Sequence, residues 1–356
     1  MREIRVDLDA IVANYRKLKA LAAPSQVMAI VKADAYGHGS KQVAKALQSA
    51  GVDALGVADL DEALALREQG ITVPVLAWIM QADEKIATAV RKQVQLGVSN
   101  FEVLELALKH GAQIHVKVDT GLGRGGFPRP QWPTLFEKLR GQKIAGLFSH
   151  LANTSKEEDL KQQALFEEAL ELSKDFDLEI GLRHLAASAG TLSYPSMRYD
   201  MVRCGIAVYG LNPDDRDMAE YGLRPAMRVS AQIVSSKQVP AGQGVSYNYR
   251  YRTASETNLA LVPFGYAEGM PRISMGHKVL IDGQLYPIAG QIAMDQFVVD
   301  TKDQAFNAGT EVVIFGDPKL GEPSAEDLGA SAQTINYEVV TRIGGRANRK
   351  WTGGNL

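Results

Sequence analysis

The sequence predicts an α/β protein: a (β/α)₈ TIM-type barrel followed by a mainly β C-terminal domain. Three observations carry that expectation. Apolar runs of strand length alternate with amphipathic runs of helix length from residue 8 to residue 223. Eight such strands fit a closed barrel better than an open doubly wound sheet, which usually has fewer. Beyond residue 224 the alternation gives way to short strands punctuated by glycine and proline.

The strands expected in the barrel are 27–33, 54–58, 73–79, 95–99, 113–119, 143–149, 182–187 and 201–209. They read as continuous apolar runs, as strands do when both faces of a parallel sheet are covered. Between them lie helical patterns at 8–21 behind Asp7, at 40–48 with Ser40 as N-cap, at 62–69 ended by Gly70, at 101–110 ended by Gly111, and at 157–175. Residues 229–239, 259–263, 278–281, 296–299 and 311–315 read as short strands of the second domain, with helical periodicity returning at 324–330 and 334–343. The expected division is therefore 8–223 for the barrel and 224–356 for the β domain, with residues 1–7 a candidate strand of the latter. No repeat, low-complexity tract or Gly/Ser linker separates the two.

Composition narrows the function. The chain has 356 residues, 46% of them apolar, enough for a sizeable core. Its 39 basic and 41 acidic residues give a net charge of −2, which offers no electrostatic reason to bind nucleic acid or an anionic membrane. The first residues, Met1-Arg2-Glu3-Ile4-Arg5, place charges where a signal peptide needs an apolar core, and no apolar run reaches the roughly 18 residues of a membrane span. A cytoplasmic protein is expected. The single cysteine, Cys204, excludes an internal disulfide and a cysteine-based zinc cluster. The six histidines, His38, His110, His115, His150, His184 and His277, show no metal-ligand spacing and read mostly as structural or exposed.

In such barrels the chemistry gathers at the carboxyl ends of the strands. Here those ends carry Lys32 with Tyr36 beyond it, Lys117 leading to Arg124, His150, Ser188, and Arg203-Cys204-Gly205-Ile206 followed by Tyr209. A strand-end lysine either reaches solvent or sits in an apolar pocket, where lost hydration lowers its pKa and frees the amine as nucleophile or base. Phosphates often bind after strands seven and eight, where Ser188 and the Gly205 and Ile206 amides are placed. A lysine opposite such a site, with an arginine between, suggests pyridoxal 5′-phosphate held as a Schiff base. The run Gly121-Leu122-Gly123-Arg124-Gly125-Gly126 matches a dinucleotide fingerprint, but Pro128, Pro130 and Pro133 delay the next helix and no acidic residue follows at the ribose position. It reads instead as a turn that aims Arg124 inward. Tyr209 reads as core, since it ends an apolar run.

Val31-Lys32-Ala33-Asp34-Ala35-Tyr36-Gly37-His38-Gly39 resembles the cofactor-lysine signature of alanine racemases, and Lys117-Val118-Asp119-Thr120-Gly121-Leu122-Gly123-Arg124 is similar to a second motif of that family. The resemblance continues in order through Met201–Ile206, Val245-Ser246-Tyr247, Gly265–Gly269, Met294-Asp295 and Ile335–Glu338, nearly the whole chain. Several motifs in order are more specific than any one.

The resemblance implies an alanine racemase with pyridoxal 5′-phosphate, two bases and a homodimer with shared active sites. Lys32 would carry the cofactor and act on the D face of the α-carbon, and Tyr247 on the L face. A tyrosine with a pKa near 10 needs help to act as a base, and His150 and Arg203 would supply it. Arg203 would also face the pyridine nitrogen, which stays unprotonated because an arginine does not readily give up a proton. Tyr36, Ser188, Gly205, Ile206 and Tyr337 would hold the phosphate, with Trp78 near the ring. Arg124 and the Met294 amide would bind the substrate carboxylate, and Tyr266, Arg272 and Asp295 would border the entrance, the alternative for Tyr266 and Asp295 being that they only shape it.

Lys117 is either a plain buried partner of a carboxylate or, as in many relatives, carries a carbamate paired with Arg124. Two positions depart from the family pattern: Ala187 where asparagine is common and Gln291 where an entrance arginine is common. Rival readings are a single-barrel pyridoxal-phosphate carrier, which would end near residue 230 and lack Tyr247, a basic-amino-acid decarboxylase, which would need a C-terminal cysteine, and a broad-specificity racemase. The product expected is D-alanine for cell-wall peptidoglycan.

Overall fold

The computed structural model describes residues 1–214 and 216–354, so residue 215 and the last two residues of the expected 224–356 domain lie outside the described residues. Eight parallel strands pair in sequence order: Gln26–Ile30, Ala54–Asp59, Val75–Ile79, Val94–Val98, Ile114–Lys117, Lys143–Phe148, Glu179–His184 and Met201–Cys204. The eighth pairs with the first, and a bridge between Ala187 and Arg203 joins the continuation of the seventh to the eighth, closing the ring. Helices cover its outside, and four of them begin where a side chain takes one of the first unpaired amides. Asp7 accepts from Ala10 N–H ahead of Leu8–Ala22, Asp59 from Glu62 ahead of Leu60–Glu68, Asn100 from Val103 ahead of Phe101–Lys109, and Ser155 from Glu158 ahead of Lys156–Lys174.

Several boundaries differ from the expected ones for local reasons. The first strand ends at Ile30 rather than 33, because Ala33, Asp34, Ala35 and Tyr36 all adopt left-handed backbone (φ 51°, 52°, 55° and 53°). The eighth ends at Cys204 rather than 209: the chain breaks at Gly205, where a Cβ would lie 2.4 Å from the Tyr36 hydroxyl, and continues as a 3₁₀ turn, Ile206–Tyr209. Ser188 opens a short helix, Ser188–Ser193, instead of ending a strand. Ser40 is the first helical residue and not the cap. Gly39 occupies the cap, and the Asp34 carboxylate accepts the Ser40 N–H at 2.7 Å. The run 229–239 is two strands, Met227–Gln232 and Ser235–Val239. The short helices Lys85–Arg91 and Trp132–Lys138 are too brief for periodicity to stand out in sequence.

Beyond the barrel, a six-stranded sheet runs in the order Gln284–Pro287, Lys278–Ile281, Glu311–Phe315, Met227–Gln232, Arg2–Asp7, Asn348–Thr352. The N-terminal strand thus lies between two late ones, antiparallel to Met227–Gln232 and parallel to Asn348–Thr352. A three-stranded sheet pairs Ser235–Val239, Thr257–Val262 and Phe297–Lys302. One apolar cluster runs through both parts, from Val27, Leu55 and Val116 in the barrel to Val229, Phe264 and Ile314 in the β region. A smaller cluster of Val239, Val245, Leu259 and Ala289 lies beneath the segment that carries Tyr247. No helix among the described residues is long and apolar enough to cross a membrane.

Candidate active site

The carboxyl ends of the barrel strands open onto a cavity of about 690 Å³. Its lining includes Lys32, Tyr36, Trp78, Lys117, Arg124, His150, Ser188, Arg203, Gly205, Ile206 and Tyr337, side chains from six strand ends, the Arg124 turn and one late helix. Four of these are cationic: Lys32, Lys117, Arg124 and Arg203. Among the described residues no aspartate or glutamate lines the cavity. Such a chamber favours anions.

Lys32 leaves the first strand at the start of the left-handed turn. Each non-glycine residue in that conformation costs about 1–2 kcal/mol, so the turn persists only because its surroundings hold it. The Glu62 carboxylate accepts the Ala33 N–H at 2.7 Å and the Ala58 N–H at 2.8 Å, tying the first two strand ends together. Gly39 N–H returns to the Asp34 carbonyl at 2.8 Å, and Arg349 donates to the Asp34 carboxylate at 2.9 Å. Burial, then the Arg124 charge, holds the Lys32 pKa below that of a free lysine, with Glu62 opposing. Lys117 is pushed down to about 8 by burial and by Arg124 and Arg203.

Arg203, 5% exposed, is the most constrained of the four cations. Its Nη1 donates to His184 Nδ1 at 3.1 Å and to the His184 carbonyl at 3.0 Å. Its Nη2 donates to the Ser149 and Leu185 carbonyls at 2.6 and 2.9 Å and to His150 Nδ1 at 3.2 Å. A guanidinium can only donate, so His150 Nδ1 must be an acceptor and a neutral ring carries its proton on Nε2. Burial and the surrounding cations, Arg203 first, hold the His150 pKa well below the ordinary histidine value.

Opposite Lys32, Ser188 Oγ accepts the Gly205 N–H at 3.0 Å, and the Tyr36 hydroxyl lies over the bare Cα of Gly205. Tyr337 enters from the helix Asn336–Arg342, its ring centroid 6.0 Å from that of Tyr36. Hydroxyls and backbone amides converging where a Cβ would intrude suit a phosphate. These residues fit the phosphate of pyridoxal 5′-phosphate, and Lys32 and Arg203 fit its aldehyde and ring ends. Tyr209 is fully buried and donates its hydroxyl to the Ile30 carbonyl at 2.8 Å, a core residue.

Five residues assigned to the site by sequence lie elsewhere in the chain's own structure. Tyr247 is 63% exposed, in a turn whose neighbours Ser246, Asn248 and Tyr249 have φ of 58°, 60° and 46°. Met294 and Tyr266 are also exposed, as are Arg272 and Asp295, and Asp295 pairs with Arg346 at 2.8 Å. None of the five lines the cavity. Gln291 is buried and accepts from Asn248 Nδ2 at 3.3 Å, bracing the Tyr247 turn. Sequence reasoning missed Glu62, and it missed Phe148, which stacks on His184 at 4.8 Å between centroids and lies 5.4 Å from the Arg203 guanidinium.

Comparison with known proteins agrees with this architecture. Residues 6–213 match the family model described as alanine racemase, N-terminal domain, and residues 226–351 match alanine racemase, C-terminal domain. The alanine racemase of Thermobifida fusca is 43% identical, covering 99% of this chain and 98% of its own. A crystal structure of alanine racemase from Streptomyces lavendulae superposes with a TM-score of 0.94 at 41% identity, covering 98% of this chain and 96% of that one. The alanine racemase of Bacillus anthracis, solved with bound L-Ala-P, superposes with a TM-score of 0.90 at 34% identity over 99% of this chain and 95% of that one. The chain belongs to the alanine racemase family of isomerases.

Proposed function

We propose that this protein interconverts L-alanine and D-alanine with pyridoxal 5′-phosphate as cofactor, using Lys32 and Tyr247 as its two bases. The observation that carries the reading is the cavity with four cationic side chains and, among the described residues, no carboxylate, which calls for anions at both ends, a phosphate and an amino-acid carboxylate. When bound, the cofactor supplies the electron sink that lets the α-proton leave. Lys32 would hold it covalently through Nζ and, once the substrate's amine has displaced that bond, the freed Nζ amine would take or return that proton on one face. Tyr36, Ser188, Tyr337 and the Gly205 and Ile206 amides would hold the phosphate, Trp78 would pack near the ring, and Arg203 would face the pyridine nitrogen. Arg124 binds the substrate carboxylate, joined by the Met294 amide of a second copy of the chain. Tyr247, also from a second copy, serves the opposite face with its proton steered by His150 and Arg203, while Tyr266, Arg272 and Asp295 border the entrance. The D-alanine made would serve peptidoglycan synthesis.

The test is chiral analysis of each amino acid after incubation with pure protein and cofactor. Either enantiomer of alanine is expected to reach an equal mixture, with little turnover of larger amino acids. Comparable racemisation of basic amino acids would make the enzyme a broad-specificity racemase, and release of carbon dioxide and an amine would make it a decarboxylase of the same fold.

Lys117 is proposed to carry a carbamate. With its pKa near 8 a share of the amine is neutral at physiological pH and able to add to carbon dioxide, releasing one proton and leaving an anion among three cations. Protein equilibrated with ¹³C-bicarbonate is expected to show a carbamate carbon signal that Lys117→Gln lacks. Identical spectra for the two proteins would remove the modification from the reading.

A further inference from the structure

Beneath the cavity the barrel interior is not wholly apolar. His184 Nε2 lies 2.9 Å from His115 Nδ1, His115 Nε2 lies 3.2 Å from Gln95 Oε1, and Gln95 Nε2 donates to Gln113 Oε1 at 3.0 Å. Both histidines are buried, at 0% and 1% exposure. The chain ends at a second cavity of about 360 Å³ lined by Gln95, Gln113 and other residues at the amino ends of the third to fifth strands. Its polarity follows from one fact. Arg203 can only donate, so His184 Nδ1 accepts, and a neutral His184 carries its proton on Nε2. That proton goes to His115 Nδ1, which leaves the His115 proton on Nε2 for Gln95 Oε1, and the Gln95 amide then donates to Gln113. One assignment of tautomers and amides satisfies every link, and it turns the acceptor end of each group toward Arg203.

Local packing is built around this chain. The register neighbours of His115 on either side are Gly97 and Gly146, and a Cβ on Gly146 would lie 2.4 Å from His115 Nδ1. Phe148, in register with His184, stacks on it within 5° of parallel. Burial keeps both imidazoles well below the ordinary histidine pKa, that of His115 at about 4, and the Arg203 charge acts in the same direction. Meanwhile Arg203 has five hydrogen bonds among the described residues, all to neutral acceptors, and none from Nε. A buried cation without a carboxylate needs ordered dipoles to replace its hydration.

We propose that Gln113, Gln95, His115 and His184 form a one-way hydrogen-bonded relay that solvates Arg203 as an unpaired cation, and that His184 and His115 are thereby positioning residues for the reaction. By fixing Nη1 the relay leaves Nε–H as the one guanidinium donor without a partner among the described residues, on a residue that lines the cavity. A carboxylate in the place of His184 would neutralise the guanidinium and draw it away from the cavity. The catalytic part of this inference rests on the proposed reaction; the polarity of the relay does not.

The experiment combines ¹⁵N-histidine NMR of the cofactor-loaded protein with steady-state kinetics. Six histidines make the spectrum tractable. The native protein is expected to show His184 and His115 as neutral Nε2–H tautomers. His115→Leu removes the acceptor for His184 and should shift the His184 tautomer signals and lower kcat roughly tenfold with little change in KM, the scale of losing a group that orients an active-site residue. His115→Gln offers a carbonyl to His184 and an amide to Gln95, so it should keep the His184 tautomer and most of kcat. If His115→Leu fails to fold, Gln95→Leu takes its place, read at the His115 signals and in kcat. A native His184 protonated on Nδ1 would overturn the relay. Equal kcat losses in the leucine and glutamine variants, or no loss in either, would overturn the positioning role. A native protein that fails to racemise alanine would sink the reaction and the positioning role together, while the tautomer signals would still report the relay.

Discussion

Lys32→Ala is expected to yield a folded protein that neither holds the cofactor covalently nor racemises alanine. Loss of a general base alone costs about 10²–10⁴ in rate, and the proposed reaction makes Lys32 both base and covalent anchor, so the combined loss should exceed about 10³. The amine suits that work because burial and Arg124 lower its pKa, raising the share of neutral nucleophile. Stability should change little. Removing one ammonium from a chamber that also holds the Arg124 and Arg203 cations relieves repulsion, and Ala33–Tyr36 keep the bonds that hold their turn. The native protein should be yellow and the variant should lose the colour on dialysis. Lys117 is the one other lysine lining the cavity, which makes the control decisive. Borohydride reduction and peptide mapping should place the pyridoxyl group on Lys32, and finding it on Lys117 would reassign the site.

How much of this was readable in the chain differs from residue to residue. Lys32 stood out because a single cation interrupts a buried apolar run, a contrast that survives without coordinates. The left-handed turn behind it did not, since Ala33-Asp34-Ala35-Tyr36 lacks glycine and the conformation is imposed by Glu62, Arg349 and the Gly39 N–H rather than by propensity. The eighth strand was overextended because 201–209 is apolar throughout. Only the approach of the Tyr36 hydroxyl to Gly205 shows why the sheet must stop there. His115 could have been found: it lies two residues before Lys117 on one strand, so both side chains share a face of the barrel wall. Its partner His184 is 69 residues away, and the barrel's stagger that brings them together is not written in local pattern. Tyr337 was legible through family resemblance alone, because no periodicity in residues 334–343 says that one side chain reaches the barrel mouth.

The largest effect on assembly is expected from mixing two inactive variants. Tyr247 does not reach the cavity of its own chain. Its turn is held outward by left-handed backbone at Ser246, Asn248 and Tyr249, by the Tyr249 ring over Gly244, and by Gln291 behind it. The Tyr266 and Met294 segments are joined through Tyr266 N–H to the Ala293 carbonyl and Ala267 N–H to the Met294 carbonyl, and both side chains are likewise exposed. Large exposed side chains on braced segments mark a contact surface, and a head-to-tail pair related by a two-fold axis would carry each Tyr247 to the cavity of the other chain. Lys32→Ala and Tyr247→Phe should each be nearly inactive as homodimers. In a hybrid dimer one site collects both lesions, while the other recovers Lys32 from one chain and Tyr247 from its partner. Co-expressed variants carrying different tags, purified over both, should therefore regain activity approaching about half that of the native dimer if the sites act independently. An active native monomer, or verified hybrids with no more activity than either parent, would require Tyr247 to act within its own chain, and the exposed turn would then have to fold back over the barrel.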